Sequence, residues 1–101
     1  MQIRDRLDIP MDELAALCRR YHVRELALFG SVLRDDFRDD SDIDVLVEYS
    51  PDARVTLFDH FDLERELRRL LGRKVDLVSK RGLRPILSEE ILGSAEVIYA
   101  G

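Results

Sequence analysis

The sequence predicts an α/β (α+β) domain in which helices pack on a β-sheet. Segments with a helical apolar period alternate along the chain with segments rich in strand-favouring residues. At 101 residues, of which 46% are hydrophobic, the chain can bury one small core. Neither an internal repeat nor a low-complexity linker divides it. We therefore expect residues 1–101 to form a single domain.

The first half of the chain is predicted to hold one long helix and two strands. Apolar residues from Met11 to Tyr21 recur at helical spacing, and Pro10 is suited to the first position of that helix. The predicted elements are a helix over 10–21, a strand over 23–30, a short helix within 31–37, a turn at 39–41 and a strand over 42–49.

The second half is predicted to contain a strong helix followed by shorter elements. The helix covers 56–72, and Gly72 is a good stop signal at its C-terminus. Its apolar side is expected to consist of Leu57, Phe58, Phe61, Leu67, Leu70 and Leu71. A strand over 73–79, a short helix over 84–95 and a weak strand over 96–100 complete the pattern. Strand directions cannot be deduced from this pattern.

Composition narrows the class of function. The net charge of −5 argues against broad nucleic-acid binding, which needs a basic face, although a nucleotide substrate is still possible. The single cysteine, Cys18, lies among apolar helix positions and is expected to be a buried structural thiol. Apolar runs long enough to span a membrane and the features of a signal peptide are both lacking. These observations predict a soluble cytoplasmic protein.

An acidic cluster over residues 35–44 leads into the second predicted strand and includes its first residues. Asp42 and Asp44 alternate with Ile43, so both carboxylates point to one face while Ile43 points into the core. Two carboxylates about 5 Å apart repel by about 3 kcal/mol at an effective dielectric near 20. A hard divalent cation such as Mg²⁺ would offset that repulsion.

Two other interpretations account for an acidic cluster of this kind. Acidic turns are common, so a solvated turn explains Asp-rich sequence without any ligand. A calcium-binding loop starting at Asp40 also matches at its first acidic positions. That loop fails, because Val45 stands where it needs glycine and Pro51 where it needs glutamate.

Gly30 and Ser31 follow the first predicted strand. A glycine there lets the backbone approach a ligand closely, and a helix starting at Ser31 would direct free N–H groups at an anion. The pair is weak evidence alone. Its position between a strand and the acidic cluster predicts a phosphate-binding turn beside a metal site.

Asp76 is the third candidate carboxylate. It interrupts an apolar strand between Val75 and Leu77, where a charge is unusual unless it faces solvent or a polar site. If the third strand pairs with the second, Asp76 could join the same metal site or take a proton from an acceptor hydroxyl.

The spaced pattern resembles a known family. Gly30-Ser31, ten intervening residues and then Asp42-Ile43-Asp44 is similar to the signature of the DNA polymerase β-like nucleotidyltransferases. The stretch LFGSVLRDDFRDDSDIDVLVEY and the short chain resemble the minimal nucleotidyltransferase (MNT) branch, the MntA-like antitoxins. The resemblance implies a nucleotidyltransferase fold with a mixed β-sheet.

The resemblance also implies an activity and its residues. Asp42, Asp44 and Asp76 would be the catalytic carboxylates and would hold two Mg²⁺ ions. Gly30 and Ser31 would bind the triphosphate of ATP. The reaction that the resemblance implies transfers AMP from ATP to a hydroxyl, that of a tyrosine, on a cognate HEPN-domain RNase toxin and so neutralises the toxin.

Two alternative functions are also consistent with the sequence. The protein could neutralise the toxin by stoichiometric binding without catalysis, or it could transfer a nucleotide to a small molecule. Direct binding of nucleic acid and contact with a membrane are not expected.

Overall fold

The computed structural model describes residues 9–30, 42–80, 93 and 95–101, and it confirms the predicted α/β fold class. The elements are α1 (Met11–Arg20), β1 (Val23–Phe29), β2 (Ile43–Tyr49), α2 (Leu57–Leu71), β3 (Val75–Ser79) and β4 (Glu96–Ala100). The predicted short helix within 31–37, the turn at 39–41 and most of the helix at 84–95 lie outside the described residues.

The sheet has both parallel and antiparallel neighbours. Its strand order is β3-β2-β1-β4. β1 pairs antiparallel with β2 and with β4, whereas β2 and β3 run parallel. A parallel pair needs a crossover connection, and α2 supplies it between β2 and β3. This mixed sheet brings the two strands that carry the candidate aspartates together.

The core lies between the helices and one face of the sheet. Buried residues from α1, α2 and all four strands form one cluster, which includes Leu14, Ile43 and Leu63. Ile43 is fully buried, as its alternation with Asp42 and Asp44 predicted. The residues of β2 that alternate with this buried set therefore face away from the helices.

Helix α1 begins one residue later than predicted. Pro10 is the N-cap, with an extended backbone at φ −74° and ψ 93°, so the prediction of Pro10 as first helical residue is wrong. The extended ψ places it just outside the helix.

Cys18 is fully buried in α1, and burial raises the pKa of its thiol to about 12. The prediction of an inert structural thiol is consistent with both observations.

Helix α2 has the predicted ends. Thr56 and Asp59 form a reciprocal capping box, in which the Thr56 hydroxyl accepts from Asp59 N and the Asp59 carboxylate accepts from Thr56 N. Gly72 adopts a left-handed conformation at φ 66° and ends the helix. Among the described residues, no helix is both long and apolar enough to cross a membrane.

The predicted apolar face of α2 is partly wrong. The helix buries Leu63 and Leu67, whereas Leu57, Phe58 and Phe61 are 73%, 81% and 55% exposed. At 100° per residue, Phe58 and Phe61 point roughly 140° and 160° away from Leu63. One side of a helix cannot bury both groups against the sheet.

Candidate functional site

Gly30 ends β1 and lies against the carboxylate of Asp44. Its φ of 74° falls in the left-handed region that favours glycine. A Cβ atom built on Gly30 would overlap Oδ2 of Asp44 and lie 3.1 Å from its Cγ. The absence of a side chain at Gly30 therefore lets another group lie close to the backbone, as the sequence predicted. Among the described residues, that group is the carboxylate of Asp44.

Asp44 and Asp76 are side by side on parallel strands. They are register partners in the β2–β3 pair, and neighbouring strands are about 4.8 Å apart. Register partners point to the same face, which here is the face away from the helices. The third strand does pair with the second, as the prediction for Asp76 required, and the role of Asp76 in a metal site stays a prediction.

Asp42 lies at the entrance to β2. It is exposed, and it directly precedes Ile43, whose N–H donates to Lys74 O at 2.9 Å. That bond fixes the start of β2 against the chain leading into β3. Asp42 is two residues from Asp44 and so is expected on the same face. Ser31, the other predicted site residue, lies outside the described residues.

The donor atoms at this site suit a hard cation. The three aspartates offer only oxygen, the ligand type that Mg²⁺ prefers. In the described ranges, however, no three His, Cys, Asp or Glu side chains are already placed to hold a metal ion. The backbone register brings Asp44 and Asp76 together on neighbouring strands.

One groove formed by described residues lies away from the aspartates. A groove of about 450 Å³ is lined by residues that include Tyr49, Leu57 and Lys80, at the opposite end of β2 from Asp44. The carboxylate of Glu48 in this groove is already 3.5 Å from Lys80 Nζ. Because no second carboxylate accompanies Glu48 among the described residues that line this groove, we place the candidate catalytic site at the aspartates.

Sequence reasoning missed a row of polar side chains on α2. His60, Glu64 and Arg68 contact the backbone of β3 next to Asp76. Their i, i+4, i+8 spacing was visible in the sequence, but nothing there indicated that they face a strand edge.

Comparison with known proteins identifies the family. The nucleotidyltransferase domain model matches residues 12–98, so the chain belongs to the nucleotidyltransferase domain family. Nucleotidyl transfer is therefore its chemistry, and a nucleotide is its substrate. The match spans the described β1–β2 and β2–β3 pairs that carry Gly30, Asp44 and Asp76.

Three proteins illustrate the likeness. Protein adenylyltransferase MntA of Thermococcus cleftensis is 39% identical over 83 residues, covering 82% of this chain and 80% of that protein. A solved candidate minimal nucleotidyltransferase is 40% identical, with a TM-score of 0.72 and 94% of each chain covered.

The third is an MNT antitoxin in complex with a tri-AMPylated HEPN toxin of Shewanella oneidensis. It is 20% identical, with a TM-score of 0.64, and the match covers 90% of this chain and 70% of that one. This likeness shows a shared fold.

Proposed function

We propose that this protein transfers AMP from ATP to a hydroxyl, that of a tyrosine, on a cognate HEPN RNase toxin and so neutralises it. The observation that carries the proposal is the in-register pair Asp44 and Asp76 beside Gly30. The likeness to a protein adenylyltransferase supports the donor and the protein acceptor. We further propose that residues 1–101 act as one domain and that the reaction takes place in the cytoplasm, where ATP is available.

In this proposal, one group of site residues binds metal ions and another binds the triphosphate. Asp42, Asp44 and Asp76 would hold two Mg²⁺ ions, and bound Mg²⁺ would supply positive charge for the attacking and leaving oxygens. Gly30 and Ser31 would bind the triphosphate through backbone N–H groups and a hydroxyl. Placing Gly30 against Asp44 would bring the phosphate turn and the carboxylates within one small volume.

The proposed step breaks one phosphoanhydride bond of ATP and forms one phosphate ester bond to the acceptor. The acceptor oxygen forms a bond to the α-phosphorus of ATP, and the bond from that phosphorus to the bridging oxygen breaks, releasing pyrophosphate. Asp76, which is exposed at the sheet face, would accept the hydroxyl proton as general base. Positioning and charge neutralisation would provide most of the rate enhancement.

An exposed apolar surface supports a protein acceptor. Leu57, Phe58 and Phe61 form the toxin-facing patch of this proposal, and Asp59 and Asp62 alternate with them along α2. Contiguous exposed apolar residues of this size are typical of protein contacts. An RNase needs a basic surface to bind RNA, so an acid-rimmed patch is complementary to a toxin of that class.

Replacing Phe58 with serine should weaken binding of the toxin about tenfold or more, because large aromatic side chains dominate such contacts. Stability should change little, since the side chain is 81% exposed. Calorimetric titration of the toxin measures the effect, with Val97→Ser on β4 as the control at a separate exposed apolar residue. Equal toxin affinity for Phe58→Ser and wild type would remove α2 from the contact.

The direct test is the intact mass of the HEPN toxin after incubation with this protein, ATP and Mg²⁺. We expect a gain of one or more AMP units at catalytic amounts of this protein. The matched control is the double variant Asp42→Ala/Asp44→Ala, which should give no gain. An unmodified toxin that is inhibited only at equimolar amounts would instead favour neutralisation by binding.

A further inference from the structure

The outer edge of β3 is covered by side chains of α2. β3 is the last strand at its end of the sheet order, with no further strand beside it in the described part of the chain. In a parallel pair, the peptide groups of alternate residues point to opposite edges. Lys74 O accepts from β2, so the peptide groups of Val75 and Leu77 point outward. Edge groups of this kind need partners.

Three side chains supply those partners. His60 Nε2 donates to Leu77 O at 2.9 Å, and Glu64 Oε2 accepts from Leu77 N at 2.9 Å. Arg68 donates to Val75 O from Nε at 3.2 Å and from Nη2 at 3.1 Å. The three side chains, hereafter the edge clasp, are spaced four residues apart and therefore form one row along the helix.

The edge clasp is itself held in place. Glu64 Oε1 accepts from Arg68 Nη2 at 3.3 Å. His60 Nδ1 lies 2.9 Å from the hydroxyl of Tyr49 at the end of β2. Because a carbonyl only accepts, His60 Nε2 carries a proton, and the Tyr49 hydroxyl is placed to donate to Nδ1. Burial of the Tyr49 hydroxyl and the nearby Asp59 charge raise its pKa, so it remains a donor.

The clasped peptide groups flank Asp76 on both sides. Asp76 itself pairs with Asp44 on β2, while Val75 and Leu77 are fixed from the opposite edge by the clasp. An exposed carboxylate on a five-residue outer strand would otherwise follow the local opening of that strand. The contacts thus restrain the backbone that carries Asp76 from two directions.

We propose that His60, Glu64 and Arg68 are positioning residues that hold Asp76 in register with Asp44 for Mg²⁺ and ATP. The inference rests on the proposed function, in which Asp76 is a catalytic carboxylate. The three side chains hydrogen-bond to the peptide groups of β3 and to one another or Tyr49, and they act through Asp76. A displacement of about 1 Å at a reacting group can cost about a hundredfold in rate.

The test compares Glu64→Ala with Glu66→Ala. Glu66 pairs with Arg69 in the same helix, so its removal breaks an exposed ion pair of α2 while leaving the edge clasp intact. We expect Glu64→Ala to lower kcat roughly ten- to a hundredfold, with the KM for ATP within about twofold of wild type. Glu66→Ala should retain both constants. Arg68→Ala and Arg69→Ala form a second matched pair with the same expectation.

Two readouts do not depend on turnover. Amide hydrogen exchange should accelerate at Leu77 in Glu64→Ala and remain slow at core amides of β1. NMR titration with Mg²⁺ and a non-hydrolysable ATP analogue should show weaker binding of Mg²⁺ at the Asp44 and Asp76 amides. Glu64→Gln retains an acceptor for Leu77 N and should restore protection, Mg²⁺ binding and kcat toward wild type.

The outcomes separate this inference from the proposed function. Unchanged Mg²⁺ binding and kcat in Glu64→Ala, despite faster exchange at Leu77, would overturn the positioning role. Faster exchange at all amides of Glu64→Ala, with activity lost only in proportion to the unfolded fraction, would also overturn the positioning role. A wild-type protein that binds Mg²⁺ and the analogue but modifies no toxin would contradict the proposed acceptor, while the Mg²⁺ titration would still decide the role of the edge clasp.

Discussion

Asp44→Asn is expected to reduce transfer of AMP at least about a thousandfold while leaving the protein folded. Asparagine keeps the shape of the side chain but removes its charge. Loss of a metal-binding carboxylate withdraws several kcal/mol of charge stabilisation from the transition state. The free energy of unfolding should change by no more than about 1 kcal/mol, because the substitution also relieves repulsion with the exposed Asp76.

Transfer rates under saturating ATP and Mg²⁺, together with thermal unfolding, measure the two effects. Asp52→Asn is the control, because Asp52 is an exposed acid in the turn after β2, away from Asp44. That variant should retain wild-type rate. A rate for Asp44→Asn within tenfold of wild type would show that Asp44 is not a metal ligand, and it would leave Asp42 and Asp76 to be tested separately.

Gly30→Ala is expected to lose both stability and activity. An alanine at φ 74° costs about 1–3 kcal/mol of backbone strain, and its methyl group would collide with the carboxylate of Asp44. The collision can be relieved only by moving Asp44 or the end of β1. Since Asp44 pairs with Asp76, we expect transfer to fall about a hundredfold or more in the fraction of protein that remains folded.

Gly72→Ala provides a matched control. Gly72 has a similar φ of 66°, but nothing lies within 4 Å of a Cβ built there. The Gly72→Ala variant should therefore lose a similar amount of stability from backbone strain, while its transfer rate should stay at the wild-type value at temperatures where it is folded. Denaturant unfolding and transfer assays on both variants separate strain from collision. Equal activity in the two variants would show that the contact of Gly30 with Asp44 is not needed for catalysis.

The strands and helix ends were predictable because their signals are local. β2 was predicted over 42–49 and is found at Ile43–Tyr49, since Val and Ile favour strands and Pro51 follows. α2 was predicted over 56–72 and is found at Leu57–Leu71, bounded by its cap residues Thr56 and Gly72. A cap or a strand preference depends on neighbouring residues only, and the sequence contains all of them.

The buried face of α2 was harder to predict. Leu57, Phe58 and Phe61 are as apolar as Leu63 and Leu67, so composition alone could not choose between the two sides of the helix. The choice is made by packing against the sheet, where Leu63 and Leu67 join the core. The same packing sets the direction of the edge clasp, because burying Leu63 and Leu67 turns the row of polar side chains toward β3.

The sequence by itself determined which residues could form the site, and the tertiary structure decided which of them meet. The spacing of Asp42 and Asp44 on one strand follows from the two-residue period of any strand. The pairing of Asp44 with Asp76 depends on the parallel register of β2 and β3, which are separated by the whole of α2. Register between distant strands is set by burial of one face of the sheet, here through Ile43 and Val75, and such long-range packing cannot be deduced from local sequence.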